Sequence, residues 1–516
     1  MLYKHGDANE DGEYNSKDLV AAKLAQAGDE EQNNRLAGTY AADIDRSGTV
    51  EDVDLLALRR ALVSEDAATT LAVSKGNSVL NGVMPIVGYG ISTNSSLNAD
   101  TLYDYIAELG INTITFSSNE YSSGSGSEAA VKQDLQLAEQ KGIKLYVRDD
   151  HLLKGYSGKD KQIAGMPSRV GEYSMYQSFL GMYIADEPQT SDHNDGTEDN
   201  MISDYQDYID LLRNSTNLNG YLNLLPYYEN NFKDEAQYKK YLDATFNTAE
   251  LDMLSYDNYL FGVDKSGTVD LFGNVSTNYE KTTKYPAFYK NLEMARAKVE
   301  GTGKPFWVYA QAGSYPVNAP VYIGAEYLPT AAEQQLEISA SLAMGAKGVQ
   351  YYEVVQTEKW AEMTYDGKLY GYDYDRSGLI GADGQKNSTF YDAAKATNKF
   401  VAAVDHVLMN AESKGVIVND STASSALTQE VQCTTYNELQ KVEGNNAFVG
   451  CFDYFGKTAL LVVNCDTSAS QTIKLTFDKE HKLAVTKYDT TTELSPKSST
   501  LEISVGAGQC TLVVVD

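Results

Sequence analysis

From about residue 82 the chain alternates short apolar runs with longer stretches whose apolar positions recur every three or four residues. The short runs lie at 85–91 (PIVGYGI), 111–118 (INTITFSS), 143–149 (IKLYVRD), 181–187 (GMYIADE), 220–228, 252–259, 305–313 and 348–355. They are too brief for helices and too continuously apolar for one-sided strands, so they read as strands buried on both faces. Between them lie amphipathic helix candidates such as DTLYDYIAELG, SEAAVKQDLQLAEQKG and AAEQQLEISASLAMGA. Several of these end on glycine, a helix stop signal. Eight strand–helix units over about 330 residues predict a (β/α)8 TIM barrel. A doubly wound open sheet is the alternative, but no GxGxxG turn follows the first strand. From about Lys414 the pattern changes to short alternating strands separated by turn residues (AFVGCFDY, TALLVVNC, QTIKLTF), as in a β-sandwich. The predicted organisation is an N-terminal module at 1–66, a small-polar linker at 67–81, a barrel at 82–412 and a C-terminal sandwich at 413–516.

Composition narrows the partners. The 516 residues include 72 acidic and 42 basic side chains, a net charge of −30, which argues against nucleic acid and anionic membranes and favours a neutral or cationic ligand. No apolar run reaches the length of about 18 residues that a membrane helix needs. The N-terminus MLYKHGDANEDG lacks the apolar core of an export leader, so an exported form is expected to have lost it. Thirty-eight tyrosines against 14 phenylalanines and two tryptophans suit sugar-lined clefts and equally suit wet cores. The four cysteines (Cys433, Cys451, Cys465, Cys510) have no metal-ligand spacing and are open to either disulfides or buried thiols.

The first 66 residues contain a duplicated pattern, DANEDGEYNSKD from Asp7 and DIDRSGTVEDVD from Asp43. Each copy places oxygen side chains at loop positions 1, 3 and 5: Asp7, Asn9 and Asp11, then Asp43, Asp45 and Ser47. Each has glycine at position 6, Gly12 and Gly48, and a carboxylate at position 12, Asp18 and Asp54. Position 7, which ligates through its backbone carbonyl in such loops, is Glu13 or Thr49. A hard cation wants six to eight oxygens, and the glycine lets the loop wrap it. With an amphipathic helix after each loop, the module resembles a dockerin. That resemblance implies two calcium sites and a cohesin domain of a scaffold protein as partner. It departs from the family in its long acidic inter-helix segment and in loop positions 10 and 11, Ser16-Lys17 against Asp52-Val53.

The fourth strand candidate stops on Asp186-Glu187-Pro188. Proline ends sheet pairing, and two adjacent carboxylates at a buried tip repel one another and raise each other's pKa. In a TIM barrel the active site sits at the C-terminal strand ends. If Met182 and Ile184 face the helices, strict alternation sends Asp186 the same way and Glu187 over the mouth. Candidates for a second carboxylate are Asp257 after strand six, Glu353 after strand eight, and Asp149 or Asp150 after strand three. His151 is a candidate for holding a hydroxyl; Trp307, Tyr256 and Tyr352 are candidates for sugar contact.

The DEP tip, SYDNY, PFWVYAQA and MGAKGVQYY together resemble the (β/α)8 glycoside hydrolases whose acid/base glutamate ends strand four. The resemblance implies Glu187 as acid, with Asp186 beside it and no catalytic cofactor. It departs at the end of strand seven, where the retaining clan's nucleophile is replaced by Gln311, so the second carboxyl must be found elsewhere. MLSYDNY also resembles the strand-six tyrosine segment of chitinase-like barrels, in which a substrate acetamido group attacks; the fuller DxDxE motif is missing. The combined reading is a secreted, scaffold-attached glycoside hydrolase acting on a poly- or oligosaccharide. The rival is a catalytically inactive carbohydrate-binding or adhesion barrel, for which Gln311 is the best argument.

Overall fold

The computed structural model describes residues 83–92, 97–118, 128–149, 168–188, 206–210, 219–227, 234–248, 251–263, 281–313, 329–355, 360–365, 368–373, 378–381, 383–388 and 390–515, with residues 8–9 and 15–28 and isolated positions at 42, 50, 55, 58, 62, 80, 212 and 232. In chain order the barrel strands are β1 Ile86–Ser92, β2 Thr113–Ser118, β3 Lys144–Val147, β4 Phe179–Asp186, β5 Asn219–Leu224 and β6 Leu254–Tyr256. A small hairpin, β7 Phe261–Val263 with β8 Lys281–Thr283, precedes β9 Phe306–Gln311 and β10 Val349–Tyr352. Strands β1–β6, β9 and β10 close into an eight-stranded barrel, all parallel. Closure rules out the open doubly wound sheet.

The two faces of each strand have different partners. Ile114, Leu145, Met182, Ile184, Leu222, Leu254, Phe306 and Val349 pack outward into the core beneath the helices. Val87, Tyr146, Leu180, Tyr183, Tyr221, Met253 and Trp307 fill the interior. An aromatic interior leaves hydroxyls to be satisfied inside the barrel, and it is where part of the tyrosine excess goes. Trp307 fits only because the foot of β10 carries Gly348, where a Cβ would stand 2.5 Å from the indole ring.

The strand β4 carries two irregularities, an extra residue at Leu180 against β3 and another at Ile184 against β5. Against β5, Tyr183 pairs with Tyr221 and Ala185 with Leu222, so Ile184 is an extra residue. Such a bulge resets the side-chain alternation by one. Gly220 makes room for it, since a Cβ there would lie 2.2 Å from Ile184 Cδ1.

After the barrel come the hairpin β11 Trp360–Tyr365 with β12 Lys368–Asp373, and the helix Tyr391–Leu408. The chain then forms β13 Glu412–Val418, β14 Leu439–Glu443, β15 Ala447–Tyr454, β16 Lys457–Asn464, β17 Gln471–His481, β18 Leu483–Thr486, β19 Thr492–Leu494, β20 Ser498–Val505 and β21 Cys510–Val515. A six-stranded sheet, β13-β15-β16-β21-β18-β19, faces a three-stranded one, β14-β17-β20, over their own core. The other face of the larger sheet joins the barrel core through Phe448, Phe452, Leu461, Val463 and Leu512. Ser339 on helix Ala331–Ala343 donates to Gly508 O at 3.0 Å, and Tyr488 to Thr397 Oγ1 at 2.6 Å, closing the joint with polar contacts. The sandwich therefore buttresses the barrel. All four cysteines are free thiols.

At the N-terminus, helix Ser16–Gln26 starts on a capping box in which Asn15 and Asp18 satisfy each other's backbone. Asp18 is buried and also accepts from the Asn9 amide at 3.3 Å. Of the ten calcium-ligand positions, only Asn9 and Asp18 are described; Asp7, Asp11, Glu13, Asp43, Asp45, Ser47, Thr49 and Asp54 lie outside the described residues. No cluster of three metal-ligating side chains occurs among the described residues.

Candidate active site

The C-terminal ends of β4, β5 and β6 bring three carboxyls together around one amide. Asn223, at the interior-facing position two after Tyr221, donates from Nδ2 to Asp186 Oδ1 at 3.1 Å and to Asp257 Oδ1 at 3.0 Å. Its own oxygen accepts from Ser255 Oγ at 3.0 Å, which fixes the amide's orientation. Tyr89 on β1 donates to Asp186 Oδ2 at 3.0 Å.

This corrects the alternation expected for the DEP tip. Met182 and Ile184 do face the helices. The extra residue at Ile184 then pairs Asp186 with Asn223, bringing Asp186 into the mouth. Glu187 follows with φ +40°, a left-handed conformation that is costly for a side chain of this size. Its amide is held by Asn223 O at 2.9 Å. In that pose its carboxyl lies beside that of Asp257, and each shifts the other's titration. Two carboxyls this close in a buried site favour holding one proton between them.

Electrostatics agree with sharing. Burial pushes the Asp257 carboxyl far above its ordinary value, and the charges of Glu187 and Asp186 push it further. Burial also raises Glu187; its contact with Asp257 works against the rise, and the charge of Asp186 adds to it. Beneath this cluster a chain of hydroxyls and amides runs down the barrel. Tyr221 OH lies 2.7 Å from Ser255 Oγ, 2.7 Å from Gln350 Oε1 and 3.1 Å from Tyr309 OH, and Gln350 Nε2 donates to Ser255 Oγ at 2.8 Å. These contacts leave Ser255 and Asn223 one orientation each.

The remaining candidates separate. Tyr352 is half-buried at the mouth, its ring 5.1 Å from Tyr89 and 5.3 Å from Tyr259, so three tyrosines line the rim. Trp307, expected as a sugar contact, is instead enclosed inside the barrel, 6.3 Å from the Tyr221 ring. Tyr256 faces outward and is fully buried beneath the helices, because the mouth-facing positions here are Ser255 on β6 and Asp257 just beyond it. Gln311 does end the seventh barrel strand but is fully buried, and its amide is engaged by backbone: Oε1 accepts from Phe261 N at 3.2 Å, and Nε2 donates to Gly313 O at 3.1 Å. Glu353 follows β10, half-buried, and its carbonyl accepts from Leu379 N at 3.2 Å. Asp149 is fully buried between Arg169 Nη1 at 2.9 Å and Tyr173 OH at 2.6 Å, a neutralised structural carboxylate. Asp150 and His151 lie outside the described residues.

Asn223, Tyr89, Tyr221, Ser255 and Gln350 escaped the sequence reading of the site. The usable signal was a polar residue at period two inside an apolar strand, as in Tyr221-Leu222-Asn223 and Met253-Leu254-Ser255.

Residues 193–387 match the Glyco_hydro_42 family model, described as beta-galactosidase. The match takes in Asn223, Asp257, Gln311 and Glu353 and begins after Asp186-Glu187. No curated protein matches the chain. Solved structures similar to it include a family 39 glycoside hydrolase from the gut symbiont Bacteroides cellulosilyticus, at 12% identity and TM-score 0.46 over 84% of this chain and 82% of that one. A family 30 endoxylanase from Clostridium papyrosolvens aligns at 11% identity and TM-score 0.41, over 84% and 96% of the two chains. A beta-galactosidase from Marinomonas aligns at 11% identity and TM-score 0.43, over 65% and 63%. Taken with the carboxyl cluster at the mouth, the family match makes the barrel a glycoside hydrolase domain and the chain an enzyme.

Proposed function

We propose that the enzyme hydrolyses an O-glycosidic bond with Glu187 as general acid and Asp257 as the second carboxyl, on a neutral poly- or oligosaccharide. The observation that carries this is the gathering of their carboxyls around Asn223, whose amide holds Asp257 and whose carbonyl holds the Glu187 backbone. The free enzyme thereby stores at the mouth the proton that a leaving glycosidic oxygen needs. Asp186, held in place by Tyr89 and Asn223, stands beside the pair, where its charge raises both carboxyls and opposes loss of the proton. Flanking carboxyls sit about 5–5.5 Å apart in retaining enzymes and about 6.5–9.5 Å apart in inverting ones. Bound substrate must therefore part the pair. Asp257 is anchored by Asn223, so Glu187 is the member that moves, leaving its partner to act as nucleophile or base.

The beta-galactosidase description of the matched family makes a β-galactoside the first substrate to try. A panel of nitrophenyl glycosides and natural glycans tests the proposal, with Asp257→Asn as control. Hydrolysis by the wild type and loss in the variant are expected. Unaltered turnover in Asp257→Asn would remove the two-carboxyl mechanism and favour attack by a substrate acetamido group.

The N-terminal repeat supports a further part of the proposal: a secreted enzyme anchored to a cohesin-bearing scaffold through two calcium-filled loops. Residues 1–66 carry 15 acidic and seven basic side chains, and such a module gains order when a cation offsets the repulsion. Calcium is expected to raise its melting temperature and to permit binding to a cohesin panel. Indifference to chelator in both measurements would refute the dockerin reading.

A further inference from the structure

We infer that Gln311 is a positioning residue for Asp257: its side-chain amide ties the segment that carries this carboxyl to the end of the seventh barrel strand. The inference rests on the reading of Asp257 as the second carboxyl.

Asp257 stands one residue beyond β6, so ladder pairing alone does not hold it. Strand β6 is three residues long, and its neighbours on β5 and β9 pair only as far as Tyr256. The following residue, Asn258, is fully buried, and neither atom of its amide has a hydrogen-bond partner among the described residues. Such a residue lends its segment no anchorage and carries a desolvation cost that other contacts must offset. The segment is held from its far end instead. Gln311 Oε1 accepts from Phe261 N at 3.2 Å, and Lys284 N donates to Leu260 O at 2.9 Å.

Gln311 is itself fixed on several sides. Its Nε2 donates to Gly313 O at 3.1 Å, its backbone N–H donates to Glu337 Oε2 at 2.8 Å, and its carbonyl accepts from Gln334 Nε2 at 3.2 Å. The side chain accepts from one backbone segment and donates to another. Of glutamine and its isostere glutamate, only the amide does both without a proton being supplied. A carboxylate here would oppose the Gly313 carbonyl and add a charge to a site already holding three carboxyls. The glutamine thus has a structural reason of its own, and it acts on catalysis through where Asp257 sits.

The experiment compares Gln311→Ala and Gln311→Glu with the wild-type full chain, with Ser178→Ala as a comparator. Ser178 is a buried hydroxyl bonded to Leu135 O at 2.6 Å, on the chain segment before β4. Three readouts are taken: hydrogen exchange of the Phe261 amide, kcat and KM on an aryl glycoside, and the pH profile of kcat/KM. Gln311→Ala is expected to speed Phe261 exchange, to lower kcat by about 10²-fold with little change in KM, and to move the alkaline limb of the profile. Gln311→Glu is expected to be no better, and Ser178→Ala to lower thermal stability without moving the profile. Gln311→Glu matching or exceeding the wild type would overturn the inference, as would unchanged Phe261 exchange in Gln311→Ala. If the wild type hydrolyses no glycoside, the functional reading fails, and Phe261 exchange alone still decides whether Gln311 anchors the segment.

Discussion

Asp149 and Asp257 are both aspartates just past the end of a barrel strand, both are buried, and their surroundings are opposite in sign. Asp149 faces the Arg169 guanidinium at 2.9 Å and the Tyr173 hydroxyl at 2.6 Å. Asp257 faces Glu187 and Asp186, and the neutral amide of Asn223 donates to it at 3.0 Å. A strand-end carboxylate paired with a cation has its charge matched and serves the structure, whereas one beside other carboxyls is pushed towards holding a proton. Position on the barrel selects candidates, and the charge of the partner decides which of them does chemistry.

The comparison breaks most visibly in the two amide variants. Asp257→Asn is expected to lower kcat/KM by about 10²–10⁴-fold, the usual range for losing a positioned acid or base. Asp149→Asn is expected to stay within a few-fold of wild type in activity and to lose about 1–3 kcal/mol of stability, the cost of unsatisfied buried partners. The loss stays modest because Arg169 also has Glu128 at 3.3 Å and is partly exposed. Steady-state kinetics and denaturant midpoints on both variants measure this directly. Similar activity losses in the two would dissolve the distinction.

Stability against pH sharpens it. The folded-state pKa of Asp257 is raised above its unfolded value, so the group favours folding below the unfolded pKa and loses that contribution as pH rises through the folded one. Asp257→Asn should therefore be more stable than wild type at neutral and alkaline pH, by about 1.4 kcal/mol for each unit of the shift. The advantage should vanish below about pH 4, where the carboxyl is protonated in both states. Thermal melts of the two proteins across that range test the sign. A smaller effect is expected at Tyr89→Phe, which removes one donor to Asp186. About 1 kcal/mol, or roughly fivefold in kcat/KM, is the scale of one such bond. An unchanged rate would show that Asn223 alone orients Asp186.

Much of the architecture was legible because its signals are local. The barrel strands are short runs buried on both faces, and a closed parallel sheet enforces that pattern wherever it occurs. Asp186, Glu187 and Asp257 stood out as charges that end apolar runs. The direction of Asp186 was hidden, because it depends on the bulge at Ile184, which the pairing with β5 and the space over Gly220 create. The assignment of Trp307 failed for a related reason. An indole near a strand end suggests a platform, but its depth in the barrel follows from the absent side chain of Gly348 on the neighbouring strand. Asn223 was missed because an asparagine in an apolar strand has no motif, and its importance lies in the two carboxyls that the closed sheet brings to it. Tertiary partners, invisible in a linear pattern, decided each of these cases.

The central claim is that Glu187 delivers the proton it shares with Asp257 to the leaving oxygen. The most direct test is Glu187→Gln assayed on a natural glycan and on an activated aryl glycoside of the same sugar, the second having a leaving group that needs little protonation. The account predicts a loss of about 10²–10⁴-fold on the glycan and a much smaller one on the aryl glycoside. Equal losses on both substrates, or no loss on either, would contradict it.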